Sequence, residues 1–138
     1  MDSLVPLVVI AVLIVMNGVF VAAEFAIIGT SRVSMERRAA QGNRAARLVA
    51  AILRDPRRQD QYVATAQLGI TFASLGLGMY GEHVLAQWFS PLFSKFDQWL
   101  PFPEHDAATV TSVALLTYLH IVLGEMVPKT LALQQAEK

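Results

Sequence analysis

Residues 4–28 read LVPLVVIAVLIVMNGVFVAAEFAII, a run whose strongly polar side chains are Asn17 and Glu24 alone. As a helix this run is roughly 37 Å long at about 1.5 Å per residue, enough to cross a hydrocarbon layer of roughly 30 Å. The apolar core of a cleavable leader is shorter, typically about 7–15 residues, and follows a basic start. Met1, Asp2 and Ser3 supply no positive charge. The run therefore reads as an uncleaved membrane-spanning helix, and it sets the solvent in which the rest of the chain is interpreted.

The composition agrees. Of 138 residues, 54% are hydrophobic and 16% charged, with a mean hydropathy of +0.45. A soluble domain usually carries about 25% charged residues. Cysteine is absent, which excludes a disulfide framework and any thiolate metal site.

Two further spans follow, at 62–80 and 107–128, giving an all-α membrane domain of three transmembrane helices. The 62–80 stretch has no charge but contains Thr65, Gln67, Thr71 and Ser74. Its small residues run from Gly69 through Gly76 and Gly78 to Gly81, spacing that lets helices approach closely. Gly76 is taken as a packing position on that face.

Between the first two spans, segment 31–60 holds eight arginines, Arg32, Arg37, Arg38, Arg44, Arg47, Arg54, Arg57 and Arg58, against Glu36, Asp55 and Asp60. Leu48, Val49, Ile52 and Leu53 recur at helical spacing. The segment reads as short amphipathic helices along the membrane surface, broken at Gly42-Asn43 and again at Asp55-Pro56. Segment 82–106 is acidic, with Glu82, Asp97, Glu104 and Asp106 against Lys95. It reads as a loop in which Leu85, Trp88, Phe89 and Leu92 form a short interfacial helix and Trp88 and Trp99 sit in an aromatic belt. The arginine asymmetry places 31–60 in the cytoplasm, and the N-terminus and 82–106 outside. Beside a span, the arginines read as a topology signal and an anionic-lipid contact, not as a nucleic-acid surface. No nucleophile elbow, phosphate loop, zinc spacing or nucleotide fingerprint is present, so no enzyme is expected.

Carboxylates inside spans are costly and mark pairing or function. Glu24 lies in the inner part of the first span and Glu125 near the inner end of the third. The plain reading of Glu125 is an ion pair with Lys129 one turn on. Pro128 opens another. It has no amide hydrogen to give, which frees a carbonyl around Gly124 beside the carboxylate, and such hard oxygens suit Mg²⁺ or Ca²⁺. Thr71 and Ser74 could add hydroxyl ligands, with interhelical hydrogen bonding as their plainer role. Asn17 reads as structural glue. His120 is a ligand or proton-carrier candidate whose plainer role is a hydrogen-bonded packing residue. The cation set is thus Glu125, Gly124, Ser74, Thr71 and Glu24, with Pro128, Lys129, Asn17 and Gly76 structural.

Three stretches, NGVFVAAEFA at 17–26, TAQLGITFASL at 65–75 and GEMVPKTLA at 124–132, together resemble the membrane domain of the cyclin M/CorC family, also called hemolysin-related proteins. The resemblance covers essentially the whole chain. It implies a homodimer of three-span domains with a cytoplasmic helical belt, followed downstream of residue 138 by a nucleotide-binding CBS pair. It implies Mg²⁺ efflux, with Na⁺ as coupling ion in some members. Nucleotide enters only through the downstream modules. Of the family's ligands it carries over Glu125, with Gly124 as carbonyl donor. It also marks departures: Ala23 stands where transporting members tend to have serine, and Ile70 and Ser74 where they tend to have asparagine. Weak, partly hydrated Mg²⁺ binding in a bacterial inner membrane is the expectation. The rival is a non-transporting anchor and dimerisation scaffold for the CBS module.

Overall fold

A computed structural model describes residues 4–94 and 104–136, with side chains described from 106 in the second stretch. Every regular element in these stretches is helical: α1 (Leu4–Gly29), α2 (Arg32–Ala40), α3 (Arg44–Arg54), α4 (Pro56–Gly76), α5 (Glu82–Phe93), α6 (Glu104–Leu119) and α7 (Val127–Gln135). A wide π turn, Leu77–Gly81, joins α4 to α5, and a second, His120–Met126, joins α6 to α7. Among the described residues, three helices are thus long and apolar enough to cross a membrane: Leu4–Gly29, Pro56–Phe93 and Asp106–Gln135.

The breaks expected around α3 have local causes. Gly42 adopts φ +91°, a conformation that favours glycine. Asn43 then caps α3, its side chain accepting the Ala46 amide at 3.0 Å. Asp55 ends α3 and caps α4 by accepting from the Arg57 amide at 3.0 Å, and Pro56 fills the first turn, where its missing amide costs nothing. Because nothing interrupts the backbone after Pro56, the second long helix starts there, six residues before the apolar stretch at 62. The α2–α3 hairpin closes over Met35, Ala46 and Ala50, with Ala39, Val49 and Leu53 against them. Leu48 is 71% exposed and points away from this core, so the buried stripe is narrower than the spacing predicts. Glu36 clasps the hairpin through Arg54 at 2.9 Å and Arg32 at 3.1 Å. The hydrogen bonds from Arg54 first and Arg32 second hold its carboxyl below the usual carboxylate range.

Segment 82–106 departs from the expected loop. Residues 95–103, including Lys95, Asp97 and Trp99, lie outside the described residues. Glu82–Phe93 is helical, as expected for Leu85, Trp88, Phe89 and Leu92, but it is continuous with α4 because the π turn keeps the backbone coiled from Gly76 into Glu82. The resulting 38-residue helix is about 57 Å long, far more than a bilayer core of about 30 Å. α5 packs on α6, and α1 packs on both α4 and α7. A small core of Ile10, Leu77, Val84, Leu85 and Leu116 ties α1 to the α5–α6 pair. Close approach there depends on Gly81, where a Cβ would meet Leu116 Cδ2 at 2.9 Å.

Large apolar side chains cover the outside: Leu4, Val8, Val12, Val15 and Val19 on α1, Phe72 and Met79 on the second helix, Val110 and Tyr118 on the third. Only 17% of the most apolar window of α1 is buried. Exposed apolar surface on this scale needs a lipid solvent. The molecule is a multi-pass membrane domain with a small apolar core and a few buried polar groups.

Candidate functional site

A set of polar groups gathers where α1, α4 and the second π turn meet, apart from the buried Ser112, which bonds within α6. Asn17 is fully buried. Its Nδ2 donates to the Gly124 carbonyl at 2.9 Å. That carbonyl is the one Pro128, four residues on, cannot serve, so the asparagine of a neighbouring helix satisfies it. The carbonyl only accepts, which fixes the amide with Oδ1 facing α4. Ser74 donates its hydroxyl to that Oδ1 at 3.2 Å. The serine has one hydrogen, now used, so its oxygen presents a lone pair to His120 Nε2, also at 3.2 Å. His120 Nε2 in turn stands 3.7 Å from Glu125 Oε1. One chain of polar contacts therefore runs from Gly124 through Asn17, Ser74 and His120 to Glu125.

The π turn makes this possible. In a regular helix residues five apart lie about 140° apart around the axis, so His120 and Glu125 would face different ways. The wider turn of His120–Met126 brings them to one side. Gly124 leaves the ring its space: a Cβ there would sit 3.0 Å from His120 Cδ2 and 3.1 Å from Asn17 Nδ2.

Glu125 also faces a recess of about 450 Å³ lined by Val21, Glu24, Phe25, Gln67, Ile70, Thr71, Met126 and Lys129. Glu24 is held there by Gln67, whose Nε2 donates to Oε1 at 3.2 Å. Thr71 spends its hydrogen on the Gln67 carbonyl of its own helix at 2.9 Å, leaving oxygen lone pairs as its offering to the recess. Lys129 does not pair with Glu125; its Nζ lies 4.5 Å from the centre of the Phe25 ring. The helix continues through Pro128 into α7, with the proline in the first turn.

A larger groove of about 790 Å³ between α1 and α7 is lined by Ala11, Gly18, Ala22, Leu131 and similar side chains, and holds no ionisable group. It offers a cation only the Gln135 amide and no carboxylate, so the 450 Å³ recess with Glu24 and Glu125 is the candidate site.

The residues singled out in the sequence thus fall into two neighbouring groups. Glu24, Thr71 and Glu125 share the recess, while Gly124 and Ser74 belong to the Asn17 chain behind it, with Glu125 common to both. Ala23 is elsewhere: it borders a separate recess with Phe20, Gln61, Tyr62, Thr65 and Ala66, and its carbonyl accepts from Tyr62 at 3.3 Å. Gly76 makes only ordinary contact, its Cβ position 3.4 Å from Leu13, whereas Gly69 and Gly81 are the tight positions. Among the described residues no three of His, Asp and Glu cluster as a metal cage. His120 takes the hydrogen-bonded packing role read from the sequence, through Ser74, and its proximity to Glu125 is not visible there because the two are off one helical face at a period of 3.6. Gln67 is the other addition, as the holder of Glu24.

The chain matches the family described as the cyclin M transmembrane N-terminal domain over residues 8–138. It is 38% identical over 141 residues to the UPF0053 protein YhdT of Bacillus subtilis, covering all of this chain and 29% of that protein. It is 38% identical over 136 residues to the UPF0053 protein YhdP of the same organism, covering 98% and 30%. The uncharacterized protein Rv1841c of Mycobacterium tuberculosis is 33% identical over 138 residues, covering 100% and 38%. The chain therefore spans about a third of the length of the curated relatives it matches.

Proposed function

The chain belongs to the cyclin M transmembrane family, and from that premise we propose that it is the membrane domain of a divalent-cation transporter, with Mg²⁺ efflux as its activity. One observation carries the reading: two carboxylates from different membrane-length helices, Glu24 and Glu125, line one recess in an otherwise apolar bundle. Carboxylates at membrane depth are costly and mark function, and Lys129, which also lines the recess, lies over the Phe25 ring and is not paired with Glu125. Mg²⁺ prefers about six oxygens near 2.1 Å and keeps several waters. Glu24, Thr71 and Glu125 supply protein oxygens, and the recess has room for a partly hydrated ion. Na⁺ as coupling ion, a homodimer and a downstream CBS pair complete the proposal; the extra length of the relatives leaves room for such modules.

Titration of the detergent-solubilised protein with Mg²⁺ should raise its unfolding temperature at millimolar ion, and Glu125→Gln should abolish the rise while keeping the fold. Loaded vesicles should release Mg²⁺ through wild type and not through the variant. A stable protein with no Mg²⁺ response in either assay ends the transport reading. A scaffold role then takes its place, a reading favoured by Ile70, whose aliphatic side chain borders the recess.

The arginines of α2 and α3 orient this domain with the hairpin in the cytoplasm of a bacterial inner membrane. Single cysteines at Gln41 and Gln98 report on it. An impermeant thiol reagent on intact cells should label the second and spare the first; the reverse pattern inverts the topology.

A further inference from the structure

We propose that Phe25 is a positioning residue for the recess: its ring holds the Lys129 ammonium off Glu125 and so keeps both carboxylates open to an incoming cation. The inference rests on the transport reading above and concerns two side chains that coordinate nothing themselves.

Glu24 and Glu125 share the recess with Lys129, the one positive side chain among the described residues that border it. Lys129 follows Glu125 by four positions, the spacing at which side chains on a helix meet. An ion pair between them is the ordinary outcome, and it would occupy the carboxylate. In the structure that pair is not made. Lys129 Nζ stands 4.5 Å from the centre of the Phe25 ring, and Glu125 Oε1 is turned toward His120 Nε2 at 3.7 Å. Phe25 directly follows Glu24 in α1, so the ring that takes the ammonium belongs to the same helix as the other carboxylate. One aromatic residue on the first helix decides where the cation of the third helix rests.

The balance is close enough for a ring to tip it. An exposed ion pair and an exposed cation–π contact are of similar strength. With the ring gone, the carboxylates of the recess are what remains to attract the ammonium. A lysine seated on Glu125 competes directly with an entering ion. Seated on Phe25 it blocks neither carboxylate, yet its charge still borders the recess, which loosens the hold on a bound ion and favours its release.

The test is the Mg²⁺ affinity of the detergent-solubilised protein, read by thermal stabilisation across an ion titration. Phe25→Leu should weaken binding by about threefold or more, and Phe25→Tyr, which keeps a ring, should stay near wild type. Lys129→Gln removes the competing charge and should tighten binding by about threefold or more. In the Lys129→Gln background Phe25→Leu should change nothing, because the ring then has no ammonium to hold. A packing role for Phe25 requires the same loss in both backgrounds, and that result overturns the inference, as does Phe25→Leu binding Mg²⁺ as well as wild type does. Phe25→Met, which keeps the bulk and loses the ring face, gives the same comparison should the leucine variant not fold. A wild-type Mg²⁺ response with the wrong variant pattern ends this inference alone, whereas no wild-type response ends the transport reading and the inference together.

Discussion

Asn17→Leu should destabilise the bundle by about 1–3 kcal/mol, the cost of leaving a buried polar group without its partner. Leucine matches asparagine in size but gives nothing to the Gly124 carbonyl, which Pro128 cannot serve and the Asn17 amide reaches at 2.9 Å. It also removes the acceptor of the Ser74 hydroxyl. In lipid no water replaces either contact. Denaturant titration of the solubilised protein, followed by helical circular dichroism, should show an earlier midpoint. A double-mutant cycle sharpens the reading. If the two side chains act through one hydrogen-bond chain, Ser74→Ala should cost less in the Asn17→Leu background than in wild type. Equal stability of Asn17→Leu and wild type would mean that the buried amide is dispensable. It would also remove the anchor that fixes the orientation of His120.

The same residue shows where sequence reasoning succeeds and where it stops. A lone asparagine in an apolar run has to find a partner, so a structural role was legible from the sequence; which backbone group it would meet was not, since that depends on how α1 packs against the second π turn. The breaks at Gly42-Asn43 and Asp55-Pro56 were legible because they are local: a left-handed glycine, two side-chain caps and a proline in a first turn. The extent of the second helix was not. Glycines at 76, 78 and 81 followed by Glu82 look like the end of a span, yet the π turn absorbs them and carries the helix on to Phe93. The candidate site divides in the same way. Glu24 and Glu125 stand out by the cost of placing charge in lipid, whatever the fold. His120 does not, because its relation to Glu125 exists only after the backbone leaves the 3.6-residue period. Ala23 misleads in the opposite direction: adjacent to Glu24 in sequence, it opens onto a different recess. Local chemistry and solvent cost can be read one residue at a time, whereas neighbours across helices require the packing.

Packing is also what the second large effect would probe. Gly18→Leu should cost about 1–3 kcal/mol through overpacking, and more if α1 and α7 separate. A Cβ at Gly18 would meet Pro128 Cγ at 3.0 Å and the Leu123 carbonyl at 3.8 Å. Pro128 is a ring closed on the backbone and can give little, whereas the Leu123 carbonyl is already at ordinary contact distance. Gly69 gives a useful contrast. A Cβ there would come closer to its neighbour, 2.5 Å from Phe20 Cε1, but that atom is the far end of a side chain able to swing away. Gly69→Ala should therefore be milder than its distance implies, and Phe20→Ala should rescue it. Gly78 has nothing within 4 Å of a Cβ, so Gly78→Leu should leave stability within about 0.5 kcal/mol of wild type. Thermal unfolding in detergent should rank the variants with Gly18→Leu least stable and Gly78→Leu closest to wild type. Because Gly18 touches the helix that carries Pro128, forcing it apart should also disturb the adjacent Asn17–Gly124 bond, and the dication response of Gly18→Leu should fall together with its stability. A Gly18→Leu protein as stable as Gly78→Leu would show that α1 and α7 do not pack as closely as these contacts require.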